Sequence, residues 1–157
     1  MSSETIVNDI DSLTSRVGFE AVSPFAETNG TGISRILVPT NFSEYSDTAL
    51  QLAIDLAKQQ NAVIDLLHVV RFGDGHNEQR MMQEQIARLP GAKDVEIVQS
   101  IKKGKIHEEI LSTGEESKPD LIIMSRHREG MSLFSLFCSI TAKVRRTARC
   151  SVLVVGA

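Results

Sequence analysis

Asp120-Leu121-Ile122-Ile123-Met124-Ser125-Arg126-His127-Arg128-Glu129-Gly130 is the stretch that decides the fold of this 157-residue chain. Leu121 to Met124 form a short, unbroken apolar run, the signature of a strand covered on both faces. A polar loop, Ser125 to Gly130, follows. A helix then leads in through Cys138-Ser139-Ile140 and runs to Arg149, and a final apolar strand, Val152-Leu153-Val154-Val155, closes the chain. A strand whose carboxyl end opens through a loop onto a helix N-terminus is where an α/β protein places a ligand.

The same unit recurs upstream. Ile36-Leu37-Val38 is a strand ending in Pro39-Thr40-Asn41-Phe42-Ser43-Glu44, a loop with helix-capping candidates. From Tyr45 to Gln60, Ala49, Leu52, Ala53, Leu56 and Ala57 make a helical face that Leu50 and Ile54 widen. Ala62 to Val70 is a second strand, and a glycine-bearing loop from Arg71 to Gly75 leads to a polar helix from His76 to Leu89. Pro90-Gly91 ends that helix. Val95, Ile97, Val98 and Ile101 mark a further strand, and Lys102-Lys103-Gly104-Lys105 separates it from a helix over Ile106 to Ser117. Strands alternating with helices in this way predict a doubly wound α/β domain over residues 33–157, a five-stranded parallel sheet with helices on both faces.

Residues 1–32 stand outside this pattern as an N-terminal extension. Ile6, Val7, Ile10 and Leu13 recur at helical spacing and predict a short amphipathic helix from about Ser3 to Ser15. Pro24 and Thr28-Asn29-Gly30-Thr31-Gly32 have the composition of a linker.

Composition removes several function classes. Hydrophobic residues at 41% and charged residues at 24% are those of an ordinary globular protein. No apolar run approaches the roughly 20 residues of a membrane span, and Met1-Ser2-Ser3-Glu4-Thr5 lacks the basic start of a signal peptide. No membrane partner and a cytoplasmic location are expected. The net charge of −3 conceals an asymmetry, −8 over residues 1–117 and +5 over residues 118–157. Arg145, Arg146 and Arg149 sit where cations complement a helix C-terminus, so nucleic acid is not an expected partner. Two cysteines and four histidines show no metal-ligand spacing, so no metal is expected. No Ser-His-Asp or Cys-His arrangement supplies a catalytic residue. Cys138, at a helix N-terminus, is a candidate redox thiol, although Phe134 and Phe137 favour a packed one. Cys150 is expected in packing.

Four segments resemble the universal stress protein family. Ile36 to Ser46, with Ala49-Leu50 following, is similar to the family's first strand and loop; Leu66-Leu67-His68-Val69 resembles its second strand. Lys118-Pro119-Asp120-Leu121-Ile122-Ile123-Met124 resembles its fourth strand. Ala148-Arg149-Cys150-Ser151-Val152-Leu153-Val154-Val155 resembles its closing A-x-C-P-V-L-V-V, with Ser151 where proline is usual. The resemblance implies the strand order 3-2-1-4-5 and a homodimer paired along the last strand, Val152-Leu153-Val154-Val155. An uncovered strand of this composition invites pairing.

One branch of that family binds ATP through G-x2-G-x9-G-[S/T] after the fourth strand, where glycines let backbone N–H groups approach the phosphates. Here the three glycine positions hold Ser125, Arg128 and Cys138, and only the final hydroxyl, Ser139, remains. Asn41 stands where the family usually has aspartate and brings no charge. By resemblance the nucleotide-binding positions are Pro39, Thr40, Asn41, Val69, Met124, Ser125, Arg126, His127, Arg128, Cys138, Ser139 and Ile140. Arg126, His127 and Arg128 form an anion-friendly cluster. The expectation is a non-catalytic stress-response homodimer acting through an unidentified protein partner. No cofactor is expected, and ATP or another adenine nucleotide would bind weakly or not at all. An ATP-binding or slowly ATP-hydrolysing switch is the alternative.

Overall fold

The structure, a computed structural model, describes residues 19–21, 32–126 and 140–156. Six strands form one sheet: β1 (Phe19–Ala21), β2 (Arg35–Thr40), β3 (Val63–Val70), β4 (Ile97–Lys103), β5 (Leu121–Arg126) and β6 (Ser151–Gly156). The helices are α1 (Glu44–Gln60), α2 (His76–Arg88), α3 (Ile106–Ser117) and α4 (Ile140–Thr147), with a 3-10 turn at Ala92–Asp94. The strand order is β1-β6-β5-β2-β3-β4. The five strands from Arg35 onward are mutually parallel and follow the expected 3-2-1-4-5 arrangement.

The continuous apolar strands are explained by two cores, one on each face of the sheet. Ile36, Val38, Ile64, Leu66, Ile123, Leu153 and Val155 pack with α1 on one side. Leu37, Leu67, Val69, Ile122, Met124, Val152 and Val154 pack on the other with Ile110 of α3 and Val144 of α4. Successive side chains point to opposite faces, so a strand covered on both sides is apolar throughout. The wide face of α1 is used in full: Ala49, Leu50, Leu52, Ala53, Ile54, Leu56 and Ala57 are all buried. Ser43 caps its start, and Asn61 ends it in the left-handed conformation at φ 55°.

Asp120 fastens the amino ends of two neighbouring strands. Its Oδ2 accepts from the Ser34 N–H at 2.8 Å, the Ser34 hydroxyl at 2.9 Å and the Arg35 N–H at 3.0 Å. Its own N–H donates to the Arg35 carbonyl at 2.9 Å. Register at the entry of β2 and β5 is thus held from a single carboxylate.

Three details differ from the sequence expectation. The strand expected from Val95 begins at Ile97, because Gly91 at φ 77° opens the turn through Ala92–Asp94 that uses those residues. It continues to Lys103, which lies opposite Val70. The third concerns the extension. Its expected helix at Ser3 to Ser15 lies outside the described residues, but Phe19–Ala21, between that helix and the linker, is strand β1. It runs antiparallel to β6, with Phe19 opposite Val155, Glu20 opposite Val154 and Ala21 opposite Leu153. The last strand is therefore not a free edge, as its apolar composition had suggested. Along Leu153 to Val155, backbone pairing from the chain's own extension meets part of that need.

Candidate functional site

The site is built where two strands part. β2 pairs with β3 along its whole length, and β5 pairs with β6 along its whole length. Between β2 and β5 the ladder holds only Ile36 opposite Leu121 and Leu37 opposite Ile122. Beyond those pairs the ladder stops, and the chain leaves β2 on one side and β5 on the other. A crevice at the carboxyl ends of the strands, at the switch in winding direction, is the ligand position of open α/β sheets.

Pro39 and Thr40 end β2, Val69 stands near the end of β3, and Met124, Ser125 and Arg126 end β5. Ile140 opens α4. These expected residues therefore share one pole of the sheet. Val69 and Met124 are buried in the core that carries α3 and α4, and Ser125, Arg126, Pro39 and Ile140 are half-buried. His127, Arg128, Cys138 and Ser139 lie outside the described residues.

The first loop is committed to internal bonds. Thr40 Oγ1 donates to Gln85 Oε1 at 2.9 Å, lies 3.1 Å from Ser46 Oγ, and accepts from the Phe42 N–H at 3.1 Å. The threonine hydroxyl is thereby saturated inside the protein. Asn41 is exposed, yet its Oδ1 accepts from the Ser43 hydroxyl at 2.6 Å and the Ser43 N–H at 3.2 Å. That closes an Asx turn at the start of α1. Phe42 holds φ 64°, a conformation rare for a bulky side chain. Its ring stacks on His68 at 4.4 Å between centroids. His68 Nδ1 in turn donates to the Thr40 carbonyl at 2.8 Å, which fixes its tautomer. This histidine is a support for the loop.

Sequence reasoning missed the group behind Thr40. Gln85 is fully buried on α2, a helix whose buried residues are Met82 and Gln85. Its Nε2 donates to Asp47 Oδ1 at 2.6 Å. Arg88 forks onto the same carboxylate, Nε to Oδ2 at 2.9 Å and Nη2 to Oδ1 at 2.7 Å. The available signal was the three-residue spacing of Met82 and Gln85, which sets both on the inward stripe of an otherwise polar helix.

At the opposite pole, a cavity of about 330 Å³ opens between α3 and α4, lined in part by Leu111, Gly114, Ile122, Ala148 and Cys150. Burial and then the nearby Asp120 carboxylate push the Cys150 thiol up to about 11, against a smaller opposing effect of its backbone hydrogen bond. It is a protonated, packed thiol at neutral pH. His76 is exposed and His107 half-buried. Among the described residues no group of His, Cys, Asp or Glu could hold a metal ion. Among them, too, no helix is long and apolar enough to cross a membrane.

The sequence model of the Universal stress protein family matches residues 32–156. Among solved structures, a universal stress protein in complex with cAMP aligns with a TM-score of 0.70 at 21% identity, over 80% of this chain and 98% of that one. One from Archaeoglobus fulgidus is 30% identical, with a TM-score of 0.66 over 77% of this chain and 43% of that one. Another, from Archaeoglobus fulgidus in complex with dAMP, is 14% identical at a TM-score of 0.60, over 78% of this chain and 97% of that one. The alignments at 21% and 14% identity speak for the fold alone. No match is found among curated proteins.

Proposed function

The chain belongs to the universal stress protein family, and from that premise we propose that it is a non-catalytic stress-response homodimer that acts through a protein partner. In this reading its nucleotide crevice keeps its frame and binds adenine nucleotides weakly or not at all. The observation that carries the reading is the chemistry at the crevice mouth. Ser125, Arg128 and Cys138 stand where glycines would let phosphates reach backbone N–H groups. On the facing strand, the Thr40 hydroxyl and the Asn41 carbonyl oxygen are spent on Gln85 and Ser43. A ligand there would have to break those bonds or do without them. Left unpaired, the buried Thr40 hydroxyl would cost about 1–3 kcal/mol.

A second reading, an ATP-binding or slowly ATP-hydrolysing switch, draws on relatives of the same fold found with cAMP and dAMP. Pro39-Thr40, Val69 and Ser139 are retained for it. Thermal denaturation with ATP, cAMP and AMP separates the two. The proposal expects no shift of the midpoint at millimolar nucleotide. A rise that saturates in the micromolar range would support the switch, since a ligand at 100 times its Kd stabilises by about 2.7 kcal/mol.

A further inference from the structure

We infer that the outer edge of β6 is a strand-binding surface that the chain's own residues 19–21 occupy, and that a second copy of the chain pairs there only when they leave. The inference rests on the homodimer reading above and adds what controls it.

The two ends of the sheet differ in kind. β4, at one end, is built as an exposed edge: it carries Lys102 and Lys103, and none of its seven residues is fully buried. Lysines and exposed polar residues are the devices that keep an edge from pairing with another chain. β6 has none of them. Val152, Leu153, Val154 and Val155 are each buried and alternate between the two cores. This is the composition of an interior strand, and left uncovered an edge of that kind invites pairing with another strand.

β1 supplies that neighbour only in part. It pairs with Leu153, Val154 and Val155, leaving Ser151, Val152 and Gly156 beyond its reach. Three residues make a short ladder, and short segments of this kind open at low cost. The connection is long enough to pair within one molecule. Three inter-strand steps of about 4.8 Å separate β1 from β2, whereas residues 22–34 reach about 45 Å when extended. A segment tethered in this way acts at an effective concentration near ~1 mM, roughly a hundredfold above a second copy at ~10 µM. The tethered strand therefore holds the edge by proximity. A second copy, which can offer all six residues of its own β6, takes the edge when β1 is withdrawn.

The test uses the full chain and its Glu20→Pro/Ala21→Pro variant, since proline removes ladder N–H groups and does not fit a paired strand. Sedimentation equilibrium from about 1 to 100 µM should show the variant associating at a concentration at least about tenfold lower than the parent. Circular dichroism confirms that both are folded. Hydrogen exchange on the parent should show amide protection at residues 153–155 that does not change with protein concentration. Equal association of parent and variant, both dimeric, would overturn the cover while leaving the homodimer standing. Two monomers throughout would overturn both. Protection that rises with concentration would overturn pairing within one molecule and place β1 on a second copy.

Discussion

Thr40 and Gln85 meet inside the protein, the threonine hydroxyl donating to the buried amide oxygen at 2.9 Å. The bond joins the mouth of the crevice to a helix 45 residues further along the chain. Because Gln85 also donates to Asp47, the position of the first loop depends on a polar group with no exposure at all.

Replacing Gln85 therefore removes the partners of several groups at once. Gln85→Leu should destabilise the protein by about 1–3 kcal/mol, because Thr40 and Asp47 each lose the hydrogen bond to its amide. Arg88→Ala, which breaks a more exposed pair with the same carboxylate, should cost below about 1 kcal/mol. Urea denaturation of the two variants checks the order. A larger loss for Arg88→Ala would mean that the surface fork, and not the buried amide, holds the loop.

Asp120 offers a second test at the far pole. Its three accepted hydrogen bonds predict a loss of about 1.5–3 kcal/mol for Asp120→Ala. Asp120→Asn keeps one acceptor oxygen and should lose less. Equal midpoints for both variants and the parent in a denaturant titration would show that β2 and β5 keep register without the carboxylate.

Cys150 gives a pH dependence with a definite sign. The folded thiol is raised to about 11 from an ordinary value near 8.5. The folded state thus holds its proton where the unfolded state has lost it. The associated stability is complete below about pH 8.5 and is lost as pH rises through about 11. In a Cys138→Ser background, Cys150 should alkylate about 10–100-fold more slowly at pH 8 than a free cysteine. Reaction at the rate of free cysteine would mean that the thiol is exposed and its burial transient.

Much of the fold was legible because its signals were local and agreed with one another. Ile36-Leu37-Val38 and Leu121 to Met124 could only be interior strands, and the spacing of Ala49 to Ala57 fixed the inward face of α1. The crevice position followed from strand order. What was not legible depended on contacts between distant residues. Phe19–Ala21 has no periodic signal of its own and becomes a strand only because β6 offers backbone groups to pair with. Gln85 lies in a polar helix, and its burial is visible only once α2 is laid against α1. Asp120 reads as the turn before a strand until Ser34 and Arg35 are brought beside it. Of the candidate site residues, Pro39, Thr40, Asn41, Val69, Met124, Ser125, Arg126 and Ile140 lie at one pole of the sheet. The internal use of Thr40 and Asn41 could not be read from residue type.

The proposed loss of tight nucleotide binding is tested most directly by calorimetry of ATP and Mg²⁺ against the full chain, beside its Ser125→Gly/Arg128→Gly/Cys138→Gly variant. The parent should give no saturable heat up to about 1 mM ATP, a level that corresponds to binding weaker than about −4 kcal/mol. The variant should gain at least about tenfold in affinity, or about 1.4 kcal/mol. A parent that binds ATP with a Kd in the low micromolar range would contradict the account, whatever the variant does.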